Sequence, residues 1–129
     1  MRKMTEARPR NYFIAAPDSS GIAAPDLVIA PFACDAERLY AVLREVALAQ
    51  PRTRLTSESP AENHMVFVQR TAFWHFPDDV VAEITALEGG GAALTLLSKA
   101  RYGVEDFGVN RRRVRRWLAA LETRLAAAD

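Results

Sequence analysis

Three consecutive glycines, Gly89-Gly90-Gly91, separate two alternating apolar runs, and this arrangement constrains the chain more than any other. Glycine supplies the positive φ that tight hairpin turns require. Before the turn lie Val80 to Leu87, with Val80, Ala82, Ile84 and Ala86 in one phase. After it lie Ala92 to Ser98, with Ala92, Leu94 and Leu96 in one phase. A period of two is the signature of a strand with one buried face. The pair is expected as an antiparallel hairpin whose apolar face needs a cover.

Two amphipathic helices are available as that cover. Asp35 is a natural N-cap; Ala36, Leu39, Tyr40, Leu43, Val46 and Ala47 recur at helical spacing, and Pro51 ends the run. A second helix is expected from near Asn110, with Val114, Trp117, Leu118, Leu121 and Leu125 as its stripe. Further strands are expected at Leu27–Ala30, at the weakly alternating Arg52–Glu58 and at Met65–Thr71, with a turn at Ser59–Asn63. The order is β-α-β-β-β-β-α. Short connections favour an antiparallel meander, so the expected class is α+β: about five strands with both helices on one face. Leu39, Leu43, Val114, Leu118 and Leu121 are expected in the core. Residues 1–26 hold Pro9, Pro17, Pro25 and Gly21 without a sustained period, and are expected as an irregular N-terminal arm pinned by Tyr12, Phe13 and Ile14. Residues 27–129 are expected as a single domain.

The net charge of +1 gives the molecule as a whole no strong pull on nucleic acid or anionic lipid. That balance hides an asymmetry: Arg111, Arg112, Arg113, Arg115 and Arg116 cluster, while Glu58, Glu62, Asp78, Asp79, Glu83 and Glu88 lie mid-chain. The single cysteine, Cys34, has no internal disulfide partner and reads as a small buried hydrophobe. The first ten residues are charged without an apolar core behind them, which is not a secretory signal, and no apolar run approaches a membrane span. A cytoplasmic protein is the default expectation.

The densest chemistry lies in Ser98-Lys-Ala-Arg-Tyr-Gly-Val-Glu-Asp-Phe-Gly-Val-Asn-Arg-Arg-Arg113. A strand-to-helix turn needs a glycine and a cap; it does not need Arg101, Asp106, Asn110 and Arg113 together. Gly103 and Gly108 permit tight turns, and Asp106 or Asn110 suits a cap on helix-end amides. Successive arginines at a helix N-terminus are electrostatically misplaced, so they need partners. The leading reading pairs Arg101 and Arg113 with Asp78 or Asp79 in a structural network. The alternative is an anion site made of helix-end amides with Arg101 and Arg111. Adjacent strand residues point to opposite faces, which argues against Asp78 and Asp79 as joint metal ligands. His75 sits among Phe73, Trp74 and Phe76, with no nucleophile assignable to it; an outward Trp74 would mark a contact surface.

Three pieces stand in a specific order: Phe76-Pro-Asp-Asp-Val80, Ser98-x-x-Arg101-x-Gly103, and Asp106-x-Gly108-x-Asn110-x-x-Arg113-Val114. Together, ahead of a terminal helix, they resemble the domain of unknown function 1499 (DUF1499) family over roughly Pro25 to Leu125. The family pattern reads Ser-Arg-Ser-Arg where this chain has Ser98-Lys99-Ala100-Arg101, and Ser where it has Glu105. The resemblance implies a small bacterial-type domain without an established activity, and names no substrate.

The functional expectation is a non-catalytic binding or assembly module. Its working surface would join the Phe76–Asp79 turn to the Arg101–Arg113 loop, through Asp78, Asp79, Ser98, Arg101, Gly103, Asp106, Gly108, Asn110 and Arg113. The partner is a protein or a small anionic ligand, with no cofactor and no metal. One short basic turn without interleaved aromatics argues against nucleic acid. The competing class is a hydrolase-like enzyme using Asp78, Asp106 and His75, and a third reading is an apolar-ligand cavity beside Trp117.

Overall fold

The glycine hairpin forms the middle of a six-stranded mixed sheet, in a computed structural model that describes residues 11–18, 21–22, 24–102 and 108–127. The strands are β1 (Tyr12–Ala16), β2 (Leu27–Val28), β3 (Thr53–Ser59), β4 (His64–Arg70), β5 (Pro77–Ala86) and β6 (Ala92–Ala100). Their order across the sheet is β2-β1-β6-β5-β4-β3. From β3 to β6 they form the expected antiparallel meander. The helices are α1 (Ala36–Leu48) and α2 (Val109–Ala127).

Two expectations need correction. The stretch expected as an irregular arm contains β1, which pairs antiparallel with β6 from Tyr12↔Lys99 to Ala15↔Leu96. Tyr12-Phe-Ile is rich in strand formers, but the run is only five residues long and ends at Pro17, too short for its alternation to register. The expected first strand, Leu27–Ala30, shrinks to Leu27–Val28 and joins β1 in parallel, so the sheet is mixed. Asp26 sets this edge: its carboxylate accepts from Ile14 N at 2.9 Å, and its own N–H donates to Ile14 O at 2.9 Å.

Both helices cover one face of the sheet. Asp35 caps α1, accepting from Arg38 N at 2.8 Å, and the helix buries Leu39, Tyr40, Leu43, Val46 and Ala47. From the sheet, Phe13, Ala15, Met65, Phe67, Val80, Ala82, Ile84, Leu94 and Leu96 meet these and Val114, Trp117, Leu118 and Leu121 of α2 in one core. Each fully buried aliphatic side chain of this kind contributes roughly 1.5–3 kcal/mol. Trp117 fills the space between α2 and the sheet, edge-on to Phe67 with ring centroids 5.5 Å apart. Among the described residues no helix is long and apolar enough to cross a membrane.

The glycine turn does more than reverse the chain. Gly89 and Gly90 take positive φ of 93° and 104°. Gly91 permits a close approach: a Cβ there would lie 2.9 Å from Phe32 O, where Phe32 and Ala92 exchange backbone hydrogen bonds. Gly91→Ala is therefore expected to cost about 1–3 kcal/mol by urea denaturation, against about 0.5 kcal/mol or less for Glu88→Ala in the same turn.

Candidate functional site

At one end of the sheet the inward phase of three neighbouring strands turns polar. Met65 and Phe67 of β4 are followed by Gln69; Asp78 precedes Val80 on β5; Ser98 follows Leu94 and Leu96 on β6. The register sets Gln69 opposite Asp78, and Val80 opposite Ser98. The first turn of α2 lowers Arg113 and Asn110 onto this patch. Gly108, at φ 82°, takes a left-handed conformation suited to glycine immediately before the helix.

Arg113 is 4% exposed and Asp78 3%. Arg113 Nη1 donates to Asp78 Oδ2 at 2.8 Å, Asn110 Oδ1 at 3.0 Å and Ser98 Oγ at 3.1 Å, and its Nε donates to Gln69 Oε1. Ser98 in turn donates to Asn110 Oδ1 at 2.6 Å. Two side-chain amides carry the network outward: Gln69 Nε2 donates to Pro51 O at 3.0 Å and Asn110 Nδ2 to Asn11 O at 3.1 Å. The cluster thereby ties the loop after α1, three strands, α2 and the entry to β1 to one guanidinium. A buried charge pair tolerates its desolvation only with this density of hydrogen bonds.

Asp79 points to the opposite face, as strand alternation requires. There Arg101 makes a bidentate contact, Nη2 to Oδ1 at 2.6 Å and Nε to Oδ2 at 3.2 Å. Asp79's hydrogen bonds and charge hold Arg101 above the ordinary arginine pKa. Asn110, expected as a cap, lies inside α2 with its amide in the buried cluster. Asp78 is sealed against Arg113, whereas His75 lies in an exposed turn, so these members of the hydrolase-like constellation occupy different environments. Among the described residues no group of three His, Cys, Asp or Glu side chains gathers at metal-binding spacing. Gly103 and Asp106 lie outside the described residues.

The accessible chemistry lies beside this cluster. A recess of about 180 Å³ is lined by Arg52, Arg70, Thr71, Ala72, Arg112 and Arg116, with Gln69, Val109 and Arg113 at its inner wall. No acid lines it. Among the described residues no carboxylate lies within salt-bridge distance of Arg52, Arg70 or Arg116. A shallower recess continues along Arg52, Thr53, Arg54, Val68 and Arg70. Arg52 and Arg70 were not singled out from the sequence, because Arg52, in the turn before β3, and Arg70, at the end of β4, meet α2 only through the fold.

The turn between β4 and β5 forms the rim. Thr71 closes it: Thr71 N donates to Phe76 O at 3.0 Å, Phe76 N to Thr71 Oγ1 at 2.9 Å and His75 N to Thr71 O at 3.1 Å. His75 takes a positive φ of 59°, and Arg70 Nη1 donates to its carbonyl at 2.8 Å. Phe73, Trp74 and Phe76 are 79%, 68% and 53% exposed. Phe73 meets Trp74 edge-on at 4.7 Å, and the Trp74 and Phe76 planes lie within 16° at 6.3 Å.

A solved structure shares this architecture: the di-domain ARO/CYC BexL from the BE-7585A biosynthetic pathway matches with a TM-score of 0.55 at 18% sequence identity. The match covers 74% of this chain and 44% of that one, so this chain spans less than half of the larger protein, and the likeness is one of fold. No curated protein matches the chain in sequence. The family described as Protein of unknown function (DUF1499) matches residues 5–121, nearly the whole chain, and the chain belongs to that family.

Proposed function

We propose that this protein is a non-catalytic binding module that takes an anionic group in the recess between the β4–β5 turn and the first turns of α2. One observation carries the reading: Arg52, Arg70, Arg112 and Arg116 converge on a recess that no acid lines among the described residues. Guanidinium groups present fixed forks of donors that match phosphate and carboxylate oxygens. The buried cluster acts as the frame. It holds Gln69 and Arg113 at the inner wall, so the exposed arginines are mounted on a rigid base, which lowers the ordering cost of binding.

Thermal unfolding with inorganic phosphate, against chloride at matched ionic strength, tests the reading. Phosphate is expected to raise the melting temperature by on the order of 5 °C once it is about tenfold above its dissociation constant. Arg52→Ala with Arg112→Ala is expected to abolish that rise. No phosphate-specific rise in the native chain, or an equal rise in the double variant, overturns the reading.

A further inference from the structure

We propose that the anionic group is a phospholipid headgroup, and that the protein docks on anionic membrane surfaces by inserting the Phe73-Trp74-His75-Phe76 turn beside the arginine recess. The proposal rests on the anion-binding reading above and adds the source of the anion.

The exposed aromatics carry the inference. A hydrophobic core supplies no reason for this turn to present three aromatic side chains that are each more than half exposed. They project from a turn closed by its own hydrogen bonds, so they form a convex tip that enters something soft more readily than it receives a partner's side chain. Trp74, with its apolar body and polar N–H, suits the headgroup layer, and Phe73 and Phe76 suit the acyl boundary beside it. The rings cluster with one another, Phe73 edge-on to Trp74 and Trp74 parallel to Phe76. A single-stranded nucleic acid platform instead displays separate faces to successive bases.

Charge supplies the orientation. Arg52, Arg70, Arg112 and Arg116 line the recess whose wall includes Thr71 and Ala72, one residue from Phe73. Asp78 and Asp79 at this end are paired with Arg113 and Arg101. The meander sends the other turns to the far end, and Glu62, Glu83 and Glu88 lie there or next to it, as does Glu58, which is paired with Arg44. Among the described residues the charge thus divides into a basic, aromatic end and an end that carries more acid. An anionic lipid surface attracts the first and repels the second.

The test uses the full chain with vesicles of phosphatidylcholine alone and of phosphatidylcholine mixed with an equal part of phosphatidylglycerol. The chain should sediment with the mixed vesicles and not with the neutral ones. Trp74 emission should shift to the blue and be quenched by lipids brominated on their acyl chains; Trp117, fully buried, serves as the internal control. Phe73→Ser with Trp74→Ser should weaken vesicle partitioning at least about tenfold while keeping the phosphate-induced thermal shift. Equal binding to neutral vesicles, or unchanged partitioning of the aromatic variant, overturns the proposal. So does quenching of Trp74 by a single-stranded oligonucleotide without vesicle binding. A phosphate shift without vesicle binding overturns it while leaving the anion-binding reading intact. Absence of the phosphate shift removes that reading itself.

Discussion

Replacing Arg113 with alanine is expected to cost about 3–5 kcal/mol of folding stability, seen as a lower urea midpoint at unchanged slope. The magnitude follows from what the substitution leaves behind. Asp78 remains buried without the Arg113 guanidinium, and Gln69, Ser98 and Asn110 lose a shared donor. An intact buried pair adds little net stability, but a stranded charge costs its full desolvation. Adding Asp78→Asn to Arg113→Ala should therefore recover part of the loss. The remainder belongs to the neutral acceptors, at about 1–3 kcal/mol for each group left unsatisfied. Arg115→Ala, exposed on the same helix, should change stability by about 0.5 kcal/mol or less. If Arg113→Ala behaves like Arg115→Ala, the cluster is not the frame described.

Trp117→Ala is expected to cost a similar amount, about 3–5 kcal/mol, by a different mechanism. Trp117 is fully buried at the centre of the helix–sheet interface, so truncation opens a cavity that the sheet cannot collapse to fill. Its indole Nε1 is buried without a hydrogen-bond partner. Trp117→Phe keeps most of the volume and removes that unsatisfied N–H, so it should cost much less than alanine. The same denaturation series checks both substitutions; equal losses from phenylalanine and alanine would overturn this account.

The elements that were legible in the sequence are those whose pattern is local and long enough to repeat. The stripe of α1 with its Asp35 cap, and the two strands around Gly89-Gly90-Gly91, carry several periods each. β1 has barely two inward residues, Phe13 and Ala15, and it gains its identity only by pairing with β6. The partners of Arg101 and Arg113 were legible as residue types, because charges of opposite sign in two short segments demand pairing. Gln69 was overlooked although a signal existed. It continues the inward phase of Met65 and Phe67, as Ser98 continues that of Leu94 and Leu96, and a polar residue in an inward phase announces a buried partner. The direction of the aromatic turn was open in the sequence. Phe73, Trp74 and Phe76 have the composition of core anchors, and only the hydrogen-bonded closure by Thr71 turns them outward.

The position of β1 between β2 and β6 has a consequence for how the chain is made. β1 leaves the ribosome well before β6, on which it has its main pairing edge, and the Asn110–Asn11 bond joins residues 99 positions apart. Translation adds about 5–20 residues per second, so β1 waits for seconds with Phe13 and Ala15 uncovered while the meander assembles from neighbouring hairpins. Such distant pairings are slow to close and leave an exposed edge open to other chains in the interval. A nascent chain released before β6 is complete can zip up β3, β4 and β5, yet it can seat neither β1 nor the arginine that locks it.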